Sequence, residues 1–190
     1  MQTAKKVALI TGANKGIGFE VARQIAKAGW TVLAAARNQE LGTKAAARLK
    51  AEGLDVEYVH IDLNEAETAI AAAAMIAETF GRLDLLINNA AIANMSDGPP
   101  SKVTYDVLDP VMRTNFFGTV TVTQAMLPLL EKSGGAQIIN VSSELGSVSL
   151  HNDPGWKYAP VKYLAYCASK AALNMLTVQL AYEYRGATSL

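Results

Sequence analysis

Cysteine is almost missing from this sequence. Cys167 is the only one in 190 residues, so no intramolecular disulfide can form. Neither sign of charge prevails, since 17 basic residues balance 17 acidic ones. That balance leaves no electrostatic footprint for nucleic acid or an anionic membrane, and neither is expected as a partner. Long apolar runs are absent too. The opening MQTAKKVALITG carries two lysines but only a short apolar run, too short for a signal-peptide core or a membrane span. No repeat stands out; the alanine-rich AIAAAAMIA at Ala69–Ala77 reads as a helix packed closely against a neighbour. With 51% apolar and 18% charged residues the composition is not that of a disordered chain. The expectation is a soluble, cytoplasmic protein of one domain spanning residues 1–190, with a substantial core and no metal site.

What the sequence does have is alternation. Apolar, β-type runs at Val7–Thr11, Thr31–Arg37, Val56–Ile61, Leu83–Asn88 and Ala136–Ser142 predict strands. Between and after them, helices are predicted over Gly16–Ala28, Leu41–Leu49, Glu65–Phe80, Val107–Glu131 and Leu164–Tyr184, with a loop around Gly98, Pro99 and Pro100. The strand runs show little polar alternation, as in sheets covered on both faces. Alternation of this length predicts an α/β fold: a doubly wound, Rossmann-type parallel sheet with helices on both faces. Ligands of such sheets bind beyond the carboxyl ends of the strands, near the point where strand order reverses. At those ends the sequence places TGANKGIG, Arg37, HIDL, NNAA and NVSS, so five strands run into polar or glycine-rich chemistry at one rim.

TGANKGIG supplies Gly12, Gly16 and Gly18 between a strand and a helix. Glycine permits a positive φ and lets a phosphate approach the backbone, and the helix N-terminus offers it unpaired N–H groups. The spacing is G-x-x-x-G-x-G, neither the G-x-G-x-x-G fingerprint nor a P-loop. At the end of the second strand, where an Asp or Glu would hold an adenosine 2′-hydroxyl, the sequence reads AAARN. Ala36 has no carboxylate to repel a phosphate, and Arg37 has a guanidinium suited to one. With Lys15 as a second cation, NADP(H) is preferred over NAD(H); the alternative is that both are ordinary solvated cations. Asp62 has two readings, an acceptor for the adenine amino group or a helix N-cap or turn aspartate.

Tyr166 and Lys170 in YCASK are one helical turn apart, on the same face of the predicted helix. Tyr158 and Lys162 in YAPVK share the spacing, but Pro160 between them predicts a loop. Taken alone, neither pair reveals whether it carries out proton chemistry.

Together and in this order, TGANKGIG, NNAA, NVSS and YCASK resemble the classical short-chain dehydrogenase/reductase family. With AARN and TNFFGT they are most similar to its carbonyl-reductase branch. The resemblance implies a catalytic set of Asn115, Ser143, Tyr166 and Lys170. In it the tyrosine donates a proton to a substrate carbonyl while NADPH delivers hydride. The serine positions that carbonyl, the lysine binds the nicotinamide ribose and favours the phenolate, and the asparagine helps hold a proton-relaying water. An ammonium about 4 Å from a phenol, at an effective dielectric of about 20, contributes roughly 4 kcal/mol before desolvation and screening. The implied cofactor contacts are Gly12, Asn14, Lys15, Gly16, Ile17, Gly18, Arg37, Asp62, Leu63, Asn89 and Ala91, with Tyr166 and Lys170. The implied substrate is a small-molecule ketone, aldehyde or quinone. A 3-oxoacyl-type reductase, a sugar-alcohol dehydrogenase and a non-catalytic dinucleotide-binding module are the alternatives.

Three features depart from that family's pattern. Ala91 stands where glycine is usual; its methyl group crowds the nicotinamide ribose or, with a negative φ, is harmless. The stretch SLHNDPGWKYAPVKYL lengthens the Ser143–Tyr166 interval and resembles a shortened form of an insertion in monomeric carbonyl reductases, which leaves monomer or homo-oligomer open. Finally, the sequence stops at YRGATSL, where family members continue, and GATSL reads as the start of a next strand. An unfilled sheet edge and missing C-terminal elements are expected. Of the remaining residues, Cys167 reads as structural rather than reactive. His151, Trp156 and Tyr158 read equally as pocket lining or loop packing.

Overall fold

Each apolar run becomes a strand, within two residues of its predicted ends. In the computed structural model, which describes residues 5–185, the chain runs β1 (Val7–Thr11), α1 (Gly16–Lys27), β2 (Thr31–Ala36), α2 (Gln39–Ala51), β3 (Val56–His60), α3 (Ala66–Phe80), β4 (Leu85–Asn88), α4 (Tyr105–Met112), α5 (Thr119–Leu130), β5 (Gln137–Asn140), α6 (Val148–His151) and α7 (Leu164–Glu183). The GATSL segment lies outside the described residues.

All pairings are parallel, in the order β3-β2-β1-β4-β5. Strand order therefore reverses between β1 and β4, which opens a crevice at their carboxyl ends. Successive side chains of a strand point to opposite faces. Val7 and Leu9 join Leu33, Val59 and Leu86 under α3 and α5, while Ala8 and Ile10 join Val32, Leu85 and Ile87 under α1 and α2. Every residue of β1, β2 and β4 is buried, as the unbroken apolar runs predicted. The outer strands β3 and β5 are partly open. Ile139 of β5 is 45% exposed, and a cavity of about 490 Å³ lies along that strand against Thr177, Leu180, Ala181 and Tyr184 of the α7 end. No helix among the described residues is long and apolar enough to cross a membrane.

One predicted element changes. The single helix expected over Val107–Glu131 is interrupted by π-helical turns at Arg113–Gly118 and ends in a 3₁₀ turn at Glu131–Ser133. The wider turns coincide with the grip of the Asn115 amide on Ile92, whose N–H and carbonyl it bonds at 2.8 Å each. Gly118 lies so close to the Leu63 carbonyl that a Cβ would stand 2.2 Å from its oxygen.

Asp84, just ahead of β4, fastens the amino ends of three strands. Its backbone donates to Val7 O and accepts from Gln137 N, at 2.9 and 3.1 Å. Its buried carboxylate accepts from Val7 N at 2.7 Å, from Ser133 Oγ at 2.6 Å and from Arg82 Nε at 3.0 Å. Burial pushes this carboxyl up, but the bonds from Ser133, Val7 and Arg82 outweigh it and hold it below its ordinary value. A carboxyl lowered in this way adds stability that is fully present above its unfolded pKa, about 3.9, and is lost as pH falls through the folded value. Asp84→Asn is therefore expected to cost roughly 1–3 kcal/mol at neutral pH and to flatten the acid limb of Tm against pH. A Tm profile that keeps the parent's acid slope would contradict this account.

Candidate active site

The turn after β1 is built by crowding on one side and open space on the other. Gly12, at φ +66°, and Gly18 pack against β4's continuation: a Cβ on Gly12 would lie 2.9 Å from Ala90 Cα, and one on Gly18 would lie 2.4 Å from Asn89 Nδ2. Gly16, at φ +58°, faces open space. Thr11 and Asn89 stitch the two strand ends. Thr11 Oγ1 accepts from the backbone N–H groups of Asn89 and Ala90 at 3.0 Å, and Asn89 Nδ2 donates to Thr11 O at 2.8 Å. Helix α1 begins at Gly16 with no side-chain cap, whereas Asn38 caps α2. The uncapped α1 terminus leaves backbone N–H groups available to an anion.

In front of this turn is a cleft of about 430 Å³. Gly12, Asn14, Lys15, Gly16, Ile17, Gly18, Arg37, Asp62, Leu63, Asn89 and Ala91 all line it, as do Ala36, Asn64, Ile92 and Thr114. Lys15 and Arg37 are exposed, and neither makes an ion pair among the described residues. Asp62 Oδ1 closes a turn on Asn64 N at 2.9 Å, as the turn reading expected, and the residue also lines the cleft. No described non-glycine residue has a positive φ, which leaves Ala91 unstrained and removes the backbone objection to its methyl group. The donor set suits a dinucleotide: an open glycine at a helix start, two free cations at the second strand and turn, and no acidic side chain at Ala36.

Of the other predicted residues, Asn115 connects to the cleft through its bonds to Ile92, whereas Ser143, Tyr166 and Lys170 are not among the cleft's lining residues. Lys170 is 3% exposed; its Nζ donates to Val141 O at 2.7 Å and lies 5.8 Å from the centre of the Tyr166 ring. Gly146 packs directly on the Lys170 backbone: a Cβ there would stand 2.7 Å from the Lys170 carbonyl carbon. Ser143 caps the 3₁₀ turn Glu144–Gly146, its Oγ accepting from Leu145 N at 3.2 Å. That leaves its hydroxyl proton free to donate. The neighbouring Ser142 is tied to Asn174 Oδ1 of α7 at 2.6 Å, which separates the two serines of NVSS by role. Asn115 is buried, and its amide bonds Ile92 and, at 3.0 Å, Ser169 Oγ. The Asn115 amide is thus committed to the protein.

Other residues take plainer places. Tyr158 and Lys162 lie ahead of α7 in irregular chain, as Pro160 predicted, and Lys162 Nζ bonds Ala159 O at 2.7 Å. His151, Trp156 and Tyr158 stack edge-on, with ring centres 5.0 and 5.5 Å apart, packing the inserted loop onto itself. The helix α6 within that loop was not predicted; its signal was the capping residue Ser147, bonded to Leu150 N at 3.3 Å. Burial pushes the Cys167 thiol up, which suits a structural cysteine. Sequence reasoning also missed Thr11 and Asp97. Asp97 is a nearly buried carboxylate whose oxygens accept from Ala165 N and Tyr166 N at 3.1 and 2.9 Å.

The sequence profile described as short chain dehydrogenase matches residues 6–188. The short-chain dehydrogenase anuI of Penicillium roqueforti is 38% identical over 179 residues, covering 91% of this chain and 70% of that protein. Carbonyl reductase [NADPH] 1 of Mus musculus is 38% identical over 154 residues, covering 80% of this chain and 54% of that protein. The chain thus spans about half to seven-tenths of the length of these relatives. Among solved structures, the active-site complex of RhlG with NADP from Pseudomonas aeruginosa superposes with a TM-score of 0.82 at 31% identity, over 95% of this chain and 68% of that one.

Burial lowers the Lys170 ammonium from its ordinary pKa. A buried cation of this kind costs stability in full below its folded pKa, and the cost disappears as pH rises toward the unfolded value, about 10.4. Lys170→Met is accordingly expected to raise Tm at pH 7, with the gain shrinking as pH approaches 10. A less stable variant at pH 7 would show that the bond to Val141 outweighs desolvation.

Proposed function

This chain belongs to the short-chain dehydrogenase family, and we propose that it works as an NADPH-dependent reductase, converting a ketone, aldehyde or quinone carbonyl to the alcohol. The carrying observation is a half-buried tyrosine one helical turn from a buried lysine that has no acidic partner among the described residues, next to a glycine-lined cleft with two unpaired cations. The carbonyl reductase relatives and the RhlG–NADP complex support this reading.

When bound, a nicotinamide dinucleotide supplies the hydride for the carbonyl carbon. The chain's own residues handle the oxygen. Tyr166 donates the proton that the carbonyl oxygen takes up. Ser143 holds that oxygen with its free O–H, its lone pair already engaged by Leu145 N. Lys170 uses one N–H on Val141 O, which leaves two donors for the ribose. The open turn at Gly16 receives the pyrophosphate, and Arg37 with Lys15 receives the 2′-phosphate. A ribose contact would serve a non-catalytic binding module equally; what such a module has no use for is the Tyr166 phenol beside Lys170 and the free Ser143 hydroxyl.

Two variants test the reading. Tyr166→Phe is expected to reduce turnover of a carbonyl panel by at least about a hundredfold while leaving NADPH binding largely intact by calorimetry; parent-like turnover would remove the tyrosine from the mechanism. Arg37→Asp replaces a charge-assisted bond with repulsion and is expected to move the NADPH-to-NADH affinity ratio toward NADH by about 10- to 100-fold. An unmoved ratio would leave Arg37 as a solvated cation.

A further inference from the structure

We propose that Asp97 is the positioning residue of Tyr166, a role that rests on the reductase reading given above. Asp97 belongs to the loop between β4 and α4, far from α7 in sequence, and contacts no cation among the described residues. Its Oδ1 accepts from Gly98 N at 2.8 Å and Ala165 N at 3.1 Å, and its Oδ2 accepts from Tyr166 N at 2.9 Å. Leu164 N donates to Gly98 O at 3.1 Å and Cys167 N to Tyr163 O at 2.9 Å. A helix starts with four N–H groups that have no partner within it. On α7 the first bond within the helix runs from Cys167 N to Tyr163 O, and the Asp97–Gly98 pair closes three of the preceding groups, those of Leu164, Ala165 and Tyr166, while Tyr163 at the capping position makes no side-chain cap.

The carbonyl of Tyr166 is held from the same loop. It accepts from Ser169 Oγ at 2.8 Å; that oxygen accepts from Asn115 Nδ2 at 3.0 Å, and Asn115 grips both polar backbone atoms of Ile92. Both polar atoms of the tyrosine's backbone thus trace to one stretch, Ile92–Asp97, which begins where the cleft ends. Tyr166 occupies the first turn of its helix, where fraying is easiest. The carboxylate, favourably placed at a helix N-terminus, stops that fraying and sets where the phenol stands relative to Ser143 and Lys170. Displacing a reacting group by about 1 Å costs on the order of a hundredfold in rate.

The test uses the full chain, with Asp97→Ala and Asp97→Asn beside the parent. Asp97→Ala is expected to lower kcat about 10- to 100-fold with NADPH affinity unchanged. Asp97→Asn, which keeps one acceptor oxygen, is expected to fall between them, and it serves alone if the alanine variant does not fold. Amide exchange gives a readout that does not need turnover: Ala165 and Tyr166 are expected to exchange faster in the variants while the later turns of α7 keep their protection. Parent-like kcat in the variants, or unchanged exchange at Tyr166, would overturn the assignment. If the parent itself reduces no carbonyl, the reductase reading fails separately, and the exchange rates alone decide whether Asp97 holds Tyr166.

Discussion

Parallel pairing imposes one constraint from which the rest follows: every strand-to-helix turn must lie on the same rim of the sheet. Residues as distant in sequence as Gly12, Arg37, Asp62, Asn89 and Ser143 thereby share one edge, and the reversal of order between β1 and β4 opens the cleft there. The crevice is held to width by short polar bonds rather than by bulk. Thr11 and Asn89 join the carboxyl ends of β1 and β4, while Asp84 fastens their amino ends. The glycines at positions 12 and 18 are small because those bonds bring β4's continuation too close for a side chain. Of the three turn glycines, only Gly16 has open space where a Cβ would stand.

The second consequence is electrostatic. Among the described residues, Lys170 is buried with no carboxylate against it and Asp97 with no cation; each bonds backbone groups instead. Pairing the two would have stabilised the fold and quenched the ammonium. Kept apart, one charge stays available to a phenol and ribose, and the other anchors the helix that carries the phenol. The fold carries a stability cost at Lys170, offset by the apolar layers on both faces of β1, β2 and β4.

Local sequence carried much of this arrangement. The buried strands were legible because apolar runs bounded by glycine and polar clusters leave few other readings, and the cleft residues were legible because parallel topology alone gathers strand ends. Pro160 separated the two Tyr–Lys pairs correctly. What escaped depends on contacts between distant segments. Nothing near Asp97 announces a helix cap, because the helix it caps begins at Leu164. Arg113–Gly118 has no local signal for a π turn; the reach of Asn115 to Ile92 accompanies it. The distinction between Ser142 and Ser143 likewise needs Asn174, from another helix.

The central claim is that this rim is a site for a 2′-phosphorylated nicotinamide dinucleotide. Its most direct test is a calorimetric titration of the chain with NADPH and, separately, with NADH. The account predicts saturable binding of one NADPH per chain, at least about tenfold tighter than NADH, or roughly 1.4 kcal/mol. Equal affinity would contradict the role given to Arg37 and Lys15, and no saturable binding of either would contradict the assignment of the cleft itself.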